Sequence, residues 1–434
     1  MPLSYVLYNL ILLFLSPLIL ILYLLRVLIT NKEKGGFKQR LGFFPKDIGK
    51  SDLWVHAVSV GEAIIASSII LELKSLIPQL KVVVSTITDT GNLIARKNIF
   101  QAEKIFYFPL DFLLITRKIL KQVSPHLIVL VDTELWPNFL YQAKRRGAKI
   151  LLVNGRISPR SFKTYRYFKF FTTQVLKNID LFAMQSKLDA QRIISLGAEA
   201  SKVKVTGNVK FDQAYPRVSK EERQRMSEEL NLPEGSLIWV AGSTHPGEEE
   251  KILEVFKEVR EEFPRLLLIL APRHPERVEE VERIIKKANL SSVRRTKSKE
   301  IPKGRGETAV IILDTMGELS KVYSLATLVF VGKSLIPGGG QNILEPAALG
   351  KVVLFGPSIY NFLESAKLLT PTGAAIQVKD EGELKEKILE LLNDLPDLEE
   401  VGKGAIKVIE ENKGAARANA FLIKEMLKQL KVKS

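Results

Sequence analysis

Val331-Gly-Lys-Ser-Leu-Ile-Pro-Gly-Gly-Gly-Gln-Asn-Ile-Leu-Glu-Pro346 is the stretch on which the fold turns. An apolar run from Leu325 to Val331 leads into it and reads as a buried strand. Pro337 and Gly338-Gly339-Gly340 then make a turn in which few side chains block approach to the backbone. Asn342 to Leu349 reads as a helix, with Gly350 at its C′ position. A glycine turn feeding a helix start is expected to present free N–H groups and partial positive charge to an anion. Asn342 and Glu345 stand three apart and share a face, and a carboxylate there suits a ribose diol. An ordinary strand-turn-helix with a solvated Glu gives the same pattern. Gly332-Lys333-Ser334 ends like a P-loop, but Thr327 stands where that motif needs its first glycine, and no G-x-G-x-x-G follows an early strand.

Outward from this stretch, short apolar runs alternate with amphipathic helical patterns. In the first half the runs are Leu53–Ala57, Lys81–Thr86, Lys104–Phe108, Leu127–Val131, Ile150–Val153, Leu181–Met184 and Val203–Thr206. In the second they are Leu237–Ala241, Leu266–Leu270, Ala309–Leu313, Leu328–Val331, Val352–Phe355 and Ala375–Val378. Such alternation predicts α/β architecture with parallel sheets covered on both faces. Two doubly wound, Rossmann-like domains facing a cleft are expected, the arrangement called GT-B among glycosyltransferases, with sites at strand C-terminal ends. The expected boundaries are an anchor at 1–30, a first domain at 31–212, a linker at 213–222, a second domain at 223–410, and a helix at 411–434 packing back on the first domain.

The chain has 434 residues, 46% apolar and 26% charged, which is ordinary for a globular protein. Its formal charge of +16 is not, and predicts attraction to a polyanion: nucleic acid, an anionic membrane face or a phosphorylated substrate. The absence of cysteine excludes disulfides and thiolate-bound metals. Leu3 to Ile29 carries one formal charge, Arg26, and as a helix is roughly 40 Å long against a hydrocarbon layer of roughly 30 Å. Pro17 kinks such a helix or divides it into two interfacial pieces. Lys32, Lys34, Lys38 and Arg40 follow at once, so the segment reads as an N-terminal membrane anchor with the remainder on the cytoplasmic side.

Strand ends in the second half carry polar residues of one kind. Ala241-Gly-Ser-Thr-His-Pro-Gly247 offers the Ser243 and Thr244 hydroxyls for phosphate. Ala271-Pro-Arg-His-Pro275 offers the planar fork of Arg273. Asp314-Thr-Met-Gly-Glu318 follows the next run. All on one sheet edge, they point to a nucleotide pocket. His56, His245 and His274 fall in such loops, whereas His126 reads as structural.

In the first half, His56-Ala-Val-Ser-Val-Gly-Glu62 places Gly61 in a tight turn and Glu62 at a helix start, where a carboxylate can serve as general base or simply answer the helix dipole. Val131-Asp-Thr-Glu-Leu-Trp-Pro137 brings Asp132 and Glu134 off the fourth strand; two acids alone make a poor metal site. Gly207-Asn-Val-Lys-Phe-Asp212 puts Lys210 where it can neutralise developing charge. Arg156 to Phe171 interleaves aromatic and basic residues without acids, which suits a lipid interface, with single-stranded nucleic acid as the alternative. A core-packing amphipathic helix burying Phe162, Tyr165 and Phe168 accounts for part of it.

Taken together, His56–Glu62, Glu134-Leu-Trp-Pro137, Gly207–Asp212, Gly242-Ser243, Pro272-Arg-His274 and Gly339–Pro346 resemble the Kdo transferases of lipopolysaccharide biosynthesis. The resemblance implies a metal-independent, inverting glycosyltransferase of the inner membrane that needs no cofactor. Its partners would be CMP-Kdo as donor, the lipid A precursor as acceptor and anionic lipids, with no nucleic acid and no obligate protein partner. It implies Glu62 as the base, with Asp132 and Lys210 stabilising the transition state, and Ser59, Gly61 and Glu134 are further substrate-binding candidates. The CMP site would use Pro272, Arg273, Met316, Gly317, Glu318, Asn342, Ile343, Leu344 and Glu345, and Ser243, Thr244, His274, Gly339 and Gly340 are further substrate-binding candidates. Family members often carry Glu where this chain has Asp132. Another GT-B enzyme, a UDP-sugar transferase or epimerase, and a non-catalytic membrane-tethered anion binder are the competing readings.

Overall fold

The structure, a computed structural model, describes residues 1–30, 36–45, 48–213, 218–300 and 309–431. It divides into two compact units, Met1–Gln213 with Asn412–Ser434, and Ala214–Glu411. Most of the linker expected at 213–222 lies either outside the described residues or in the helix Lys220–Glu229, which opens on a reciprocal Ser219–Glu222 capping box.

The first unit is built on a seven-stranded parallel sheet of β1 (Leu53–His56), β2 (Val82–Thr86), β3 (Lys104–Tyr107), β4 (Leu127–Val131), β5 (Lys149–Gly155), β6 (Leu181–Met184) and β7 (Val203–Val205), in the order β3-β2-β1-β4-β5-β6-β7. Every residue of β1, β2 and β4 is buried, which is why these strands read as unbroken apolar runs. Alternate side chains enter different layers. Trp54, Ile128 and Leu130 join one apolar cluster with Phe139 and Leu176, while Leu53, Val55, Leu127 and Val129 join another with Ile65 and Ile69. The second cluster also contains Ala415, Ala416, Ala420, Ile423 and Leu427, so the helix Ala415–Lys431 belongs to the first unit.

The second unit repeats the plan with β8 (Leu237–Thr244), β9 (Leu266–Pro272), β10 (Ser292–Arg294), β11 (Val310–Ile312), β12 (Leu328–Val331), β13 (Val353–Phe355) and β14 (Ala375–Gln377), in the order β10-β11-β9-β8-β12-β13-β14 and again parallel. Strand β10 has no counterpart among the apolar runs, because a three-residue edge strand of Ser, Val and Arg needs no buried face. The apolar run beginning at Leu325 is also corrected: Leu325 closes the helix Leu319–Leu325, and the strand begins at Leu328.

Each sheet reverses its winding once, between β1 and β4 in the first unit and between β8 and β12 in the second. At such a reversal the connections leave towards opposite faces and open a crevice at the strand C-terminal ends.

Leu3–Thr30 is one helix with Pro17 inside it, not two pieces. Tyr5 is buried, with its ring 4.9 Å from Tyr141 and 5.6 Å from Phe171. Leu7, Leu10, Leu13 and Phe14 are exposed. Among the described residues no helix is long and apolar enough to cross a membrane, so the expected spanning anchor is not found.

Candidate functional site

In the first unit the loops leaving β1 and β4, on either side of the reversal, bring Glu62, Asp132 and Glu134 together. Glu62 lies in the first turn of the helix Val60–Leu76, whose N-cap is Ser59. Its carboxylate accepts from the Val58 N–H at 2.6 Å and from the Ser59 hydroxyl at 3.0 Å. Burial, reinforced by the charges of Asp132 and Glu134 and opposed by the Val58 hydrogen bond, pushes Glu62 up to about 8. Gly61 is not the tight-turn residue expected of it. It sits within the helix, and a Cβ there would meet nothing within 4 Å, leaving open space beside Glu62.

Asp132 leaves β4 in the left-handed region, φ +59°, a conformation in which Asp is commoner than most residues. Its carboxylate accepts from Asn154 Nδ2 at 2.7 Å. Burial raises it, against the Asn154 hydrogen bond and the charges of Lys210 and Arg156. Glu134 accepts from the Trp136 indole N–H at 3.1 Å and is raised to about 7, chiefly by burial. Burial lowers Lys210, with Asp132 opposing the shift. A carboxyl group raised by burial, two further acids and a half-buried lysine therefore occupy one crevice edge.

His56 is corrected. It ends β1 fully buried, stacked on Phe108 at 3.9 Å, with Nδ1 2.9 Å from the Ser85 hydroxyl, and burial holds it down at about 3. Strand alternation turns it into the same layer as Trp54, away from the loop. Of the basic-aromatic stretch, Phe162 and Tyr165 pack against the core, but Phe168 does not: Tyr167, Phe168 and Phe170 are exposed.

The second unit corrects the opening expectation. The glycine-rich loop holds its own backbone donors. Glu248, fully buried, accepts from the N–H groups of Lys333 at 2.6 Å, Ser334 at 2.8 Å, Leu335 at 3.0 Å and His245 at 3.2 Å. Gly338 and Gly339 both donate to the Ser358 hydroxyl, at 3.1 and 2.9 Å, and Gly340 donates to the Lys333 carbonyl. Gly339, φ +91°, has Tyr360 where a Cβ would stand, so the missing side chain accommodates the chain itself. Asn342 accepts from the Leu344 N–H at 3.0 Å, and the helix Leu344–Ala348 is shorter than expected.

The other expected donor residues divide by exposure. Arg273, His274 and Met316 are exposed, and His245 and His274 rings lie 6.1 Å apart. Ser243, next to last in β8, stands at φ +57°. Thr244 is fully buried and donates to Glu249 at 3.1 Å, which removes it as a free hydroxyl. Pro272 is buried at the end of β9; Ile343 and Leu344 are in the core, leaving them only backbone to offer. Gly317 takes φ +85°, and Glu318 is held by Arg295 and Thr315. Glu345 is partly buried and raised by that burial. Among the described residues no group of three or more His, Asp or Glu is disposed to hold a metal ion.

Asn154, Asp111 and Glu248 carry no functional reading in the sequence, and Trp136 enters only as part of the Glu134-Leu-Trp-Pro137 motif. The only signal for Asn154 is its place before Gly155 at the end of an apolar run.

Residues 35–213 match the family model described as 3-deoxy-D-manno-octulosonic-acid transferase (kdotransferase). The chain is 32% identical over 430 residues to the 3-deoxy-D-manno-octulosonic acid transferase of Haemophilus influenzae, covering 97% of this chain and 98% of that one. It is 34% identical over 395 residues to a bifunctional glycosyltransferase/methyltransferase of Fusobacterium nucleatum, covering 90% of this chain but 60% of that longer protein. The crystal structure of a glycosyltransferase from Rickettsia africae superposes with a TM-score of 0.60 at 16% identity, covering 87% of this chain and 99% of that one. That likeness bears on the fold, which is GT-B as expected.

Proposed function

The chain belongs to the 3-deoxy-D-manno-octulosonic-acid transferase family, and from that premise we propose that it moves Kdo from CMP-Kdo to a hydroxyl of the lipid A precursor with Glu62 as general base. The observation that carries this reading is the gathering of Glu62, Asp132, Glu134 and Lys210 at the winding reversal of the first sheet. A base must hold the proton it removes, and a carboxyl raised to about 8 holds one far better than an exposed Glu. Glu62 takes the acceptor hydroxyl proton, the freed oxygen attacks the anomeric carbon from the face opposite the phosphate, and CMP departs with the bonding pair, inverting that centre. Lys210, steadied by Asp132, offsets negative charge as the phosphate leaves. Exposed Arg273 and partly buried Glu345, in the second unit, supply a phosphate fork and a ribose acceptor for the nucleotide. The transfer needs no metal.

The same reading places the enzyme on the anionic, cytoplasmic face of the inner membrane. Support comes from the exposed apolar face of the N-terminal helix and from its neighbour. Tyr8 packs 5.5 Å from Phe171, so the helix adjoins the segment presenting Arg160, Lys163, Tyr167 and Phe170.

Incubating the full chain with CMP-Kdo and tetraacylated lipid A precursor, with and without chelator, and resolving products by mass tests the proposal. A Kdo-bearing product that survives chelation and is lost by orders of magnitude in Glu62→Ala supports it. No such product, or undiminished turnover in that variant, refutes it. Flotation with phosphatidylglycerol vesicles, weakened by Arg160→Glu with Lys163→Glu, tests the membrane face.

A further inference from the structure

Two sets of hydrogen bonds, joined through the backbone from Trp136 to Asn138, link the N-terminal helix to the Glu134 carboxylate. Tyr8 Oη donates to Asp111 at 3.0 Å, and the side-chain amides of Asn9 and Asn138 donate to each other, each at 2.9 Å. Asp111 is 6% exposed and also accepts from the backbone N–H groups of Asn138 at 2.9 Å and Phe139 at 2.8 Å. These are first-turn donors of the helix Pro137–Arg145. Its N-cap residue is Trp136, which has no oxygen with which to cap them, so a carboxylate 27 positions upstream does so instead. Trp136 packs 5.4 Å from Phe108 and donates its indole N–H to Glu134 at 3.1 Å. Asp111 therefore fixes where this helix begins, the helix start fixes Trp136, and Trp136 holds Glu134.

We propose that Asp111 is a positioning residue through which the seating of the N-terminal helix sets the Trp136 indole, and with it the Glu134 carboxylate, for transfer. This rests on the reading of Glu134 as part of the transfer site. Neither Tyr8 nor Asn9 touches Glu134; both act through Asp111 and Asn138. A chain whose first helix is unseated keeps both sheets but loses turnover, because a small misplacement at a reacting site costs rate steeply.

The test uses the full chain labelled with 15N-tryptophan, its Trp136 indole signal assigned by Trp136→Phe. Tyr8→Phe should move the Trp136 signal and leave that of Trp239, in the second unit, in place. It should lower kcat on the order of tenfold with the KM for CMP-Kdo unchanged. Asn9→Ala, which cuts the second tie, should give the same pattern. In a Trp136→Phe background Tyr8→Phe should cost no further kcat. An unmoved indole signal in both variants overturns the proposal, as does a kcat loss of equal size in the Trp136→Phe background. If the unaltered chain attaches no Kdo to the acceptor, the functional reading falls, while the indole signals still decide whether the linkage exists.

Discussion

Asn154 joins Asp132 to the turn that carries Lys210. Its Nδ2 donates to Asp132 at 2.7 Å, and its Oδ1 accepts from the Val209 N–H at 3.0 Å. One buried amide thus sets both the acid and the cation of the candidate site, from a backbone position at φ +54° that Asn tolerates better than Ala. Asn154→Ala leaves a buried N–H and a carboxylate without this partner, and should cost about 1–3 kcal/mol in denaturant unfolding. Transfer should fall more than tenfold, on the order of the loss caused by a displaced catalytic group. Asn154→Asp sets a second carboxylate against Asp132 and should be worse for rate than for stability.

Glu62 predicts opposite pH responses for rate and stability. Transfer needs the carboxylate, so kcat/KM should rise about tenfold per pH unit up to the neighbourhood of 8 and level off beyond it. The folded pKa lies above the ordinary value of 4.5, so the fold favours the protonated form. That stabilisation is fully present below about 4.5 and is lost as pH rises through about 8. Glu62→Gln keeps the neutral shape. It should melt with wild type near pH 4 and be more stable by about 1–2 kcal/mol at pH 9, while transferring no sugar. Calorimetric melting at the two pH values checks this; equal melting at pH 9 would show that the carboxylate is not strained by burial.

Glu248 is the internal acceptor of the glycine-rich loop. Glu248→Ala strands the N–H groups of Lys333, Ser334 and Leu335 and should destabilise the second unit by about 2–4 kcal/mol. Glu248→Gln supplies one acceptor oxygen in place of two and should cost about half as much. In both, CMP affinity by titration calorimetry should fall, since the loop that carries Asn342 and Glu345 loses its fixed start. Unaltered affinity would detach the loop from nucleotide binding.

Asp212 accepts from the Gly414 N–H and, at 2.6 Å, from the Ala416 N–H, capping the helix Ala415–Lys431. Asp212→Ala should cost about 1 kcal/mol and speed hydrogen exchange across 415–431, leaving the second unit unchanged.

The strands were legible because parallel strands covered on both faces must be apolar throughout, as Leu127-Ile-Val-Leu-Val131 is. The place of Glu62 in a first helical turn was legible because an acid just after a strand end is a local pattern. What escaped was long-range hydrogen bonding. Nothing near Asp111 in the sequence announces Asn138, and nothing near Asn154 announces Val209. The glycine-rich loop misled for a related reason: its backbone donors look unclaimed until Glu248, 85 positions earlier, and Ser358, beyond the loop, are placed beside them. His56 misled because it was read with the loop that follows β1, whereas as the strand's last residue it keeps the alternation and enters the same layer as Trp54.

The return of residues 415–431 to the first sheet sets an order of assembly on the ribosome. Ile65, Ile69 and Leu73 are covered in part by Ala420, Ile423 and Leu427, which emerge only after the whole of Ala214–Glu411 has been made. The nascent first unit must therefore wait with a greasy flank bare while its successor is synthesised, a window in which chaperone capture or self-association competes with completion. The second unit, continuous in sequence, carries no such delay.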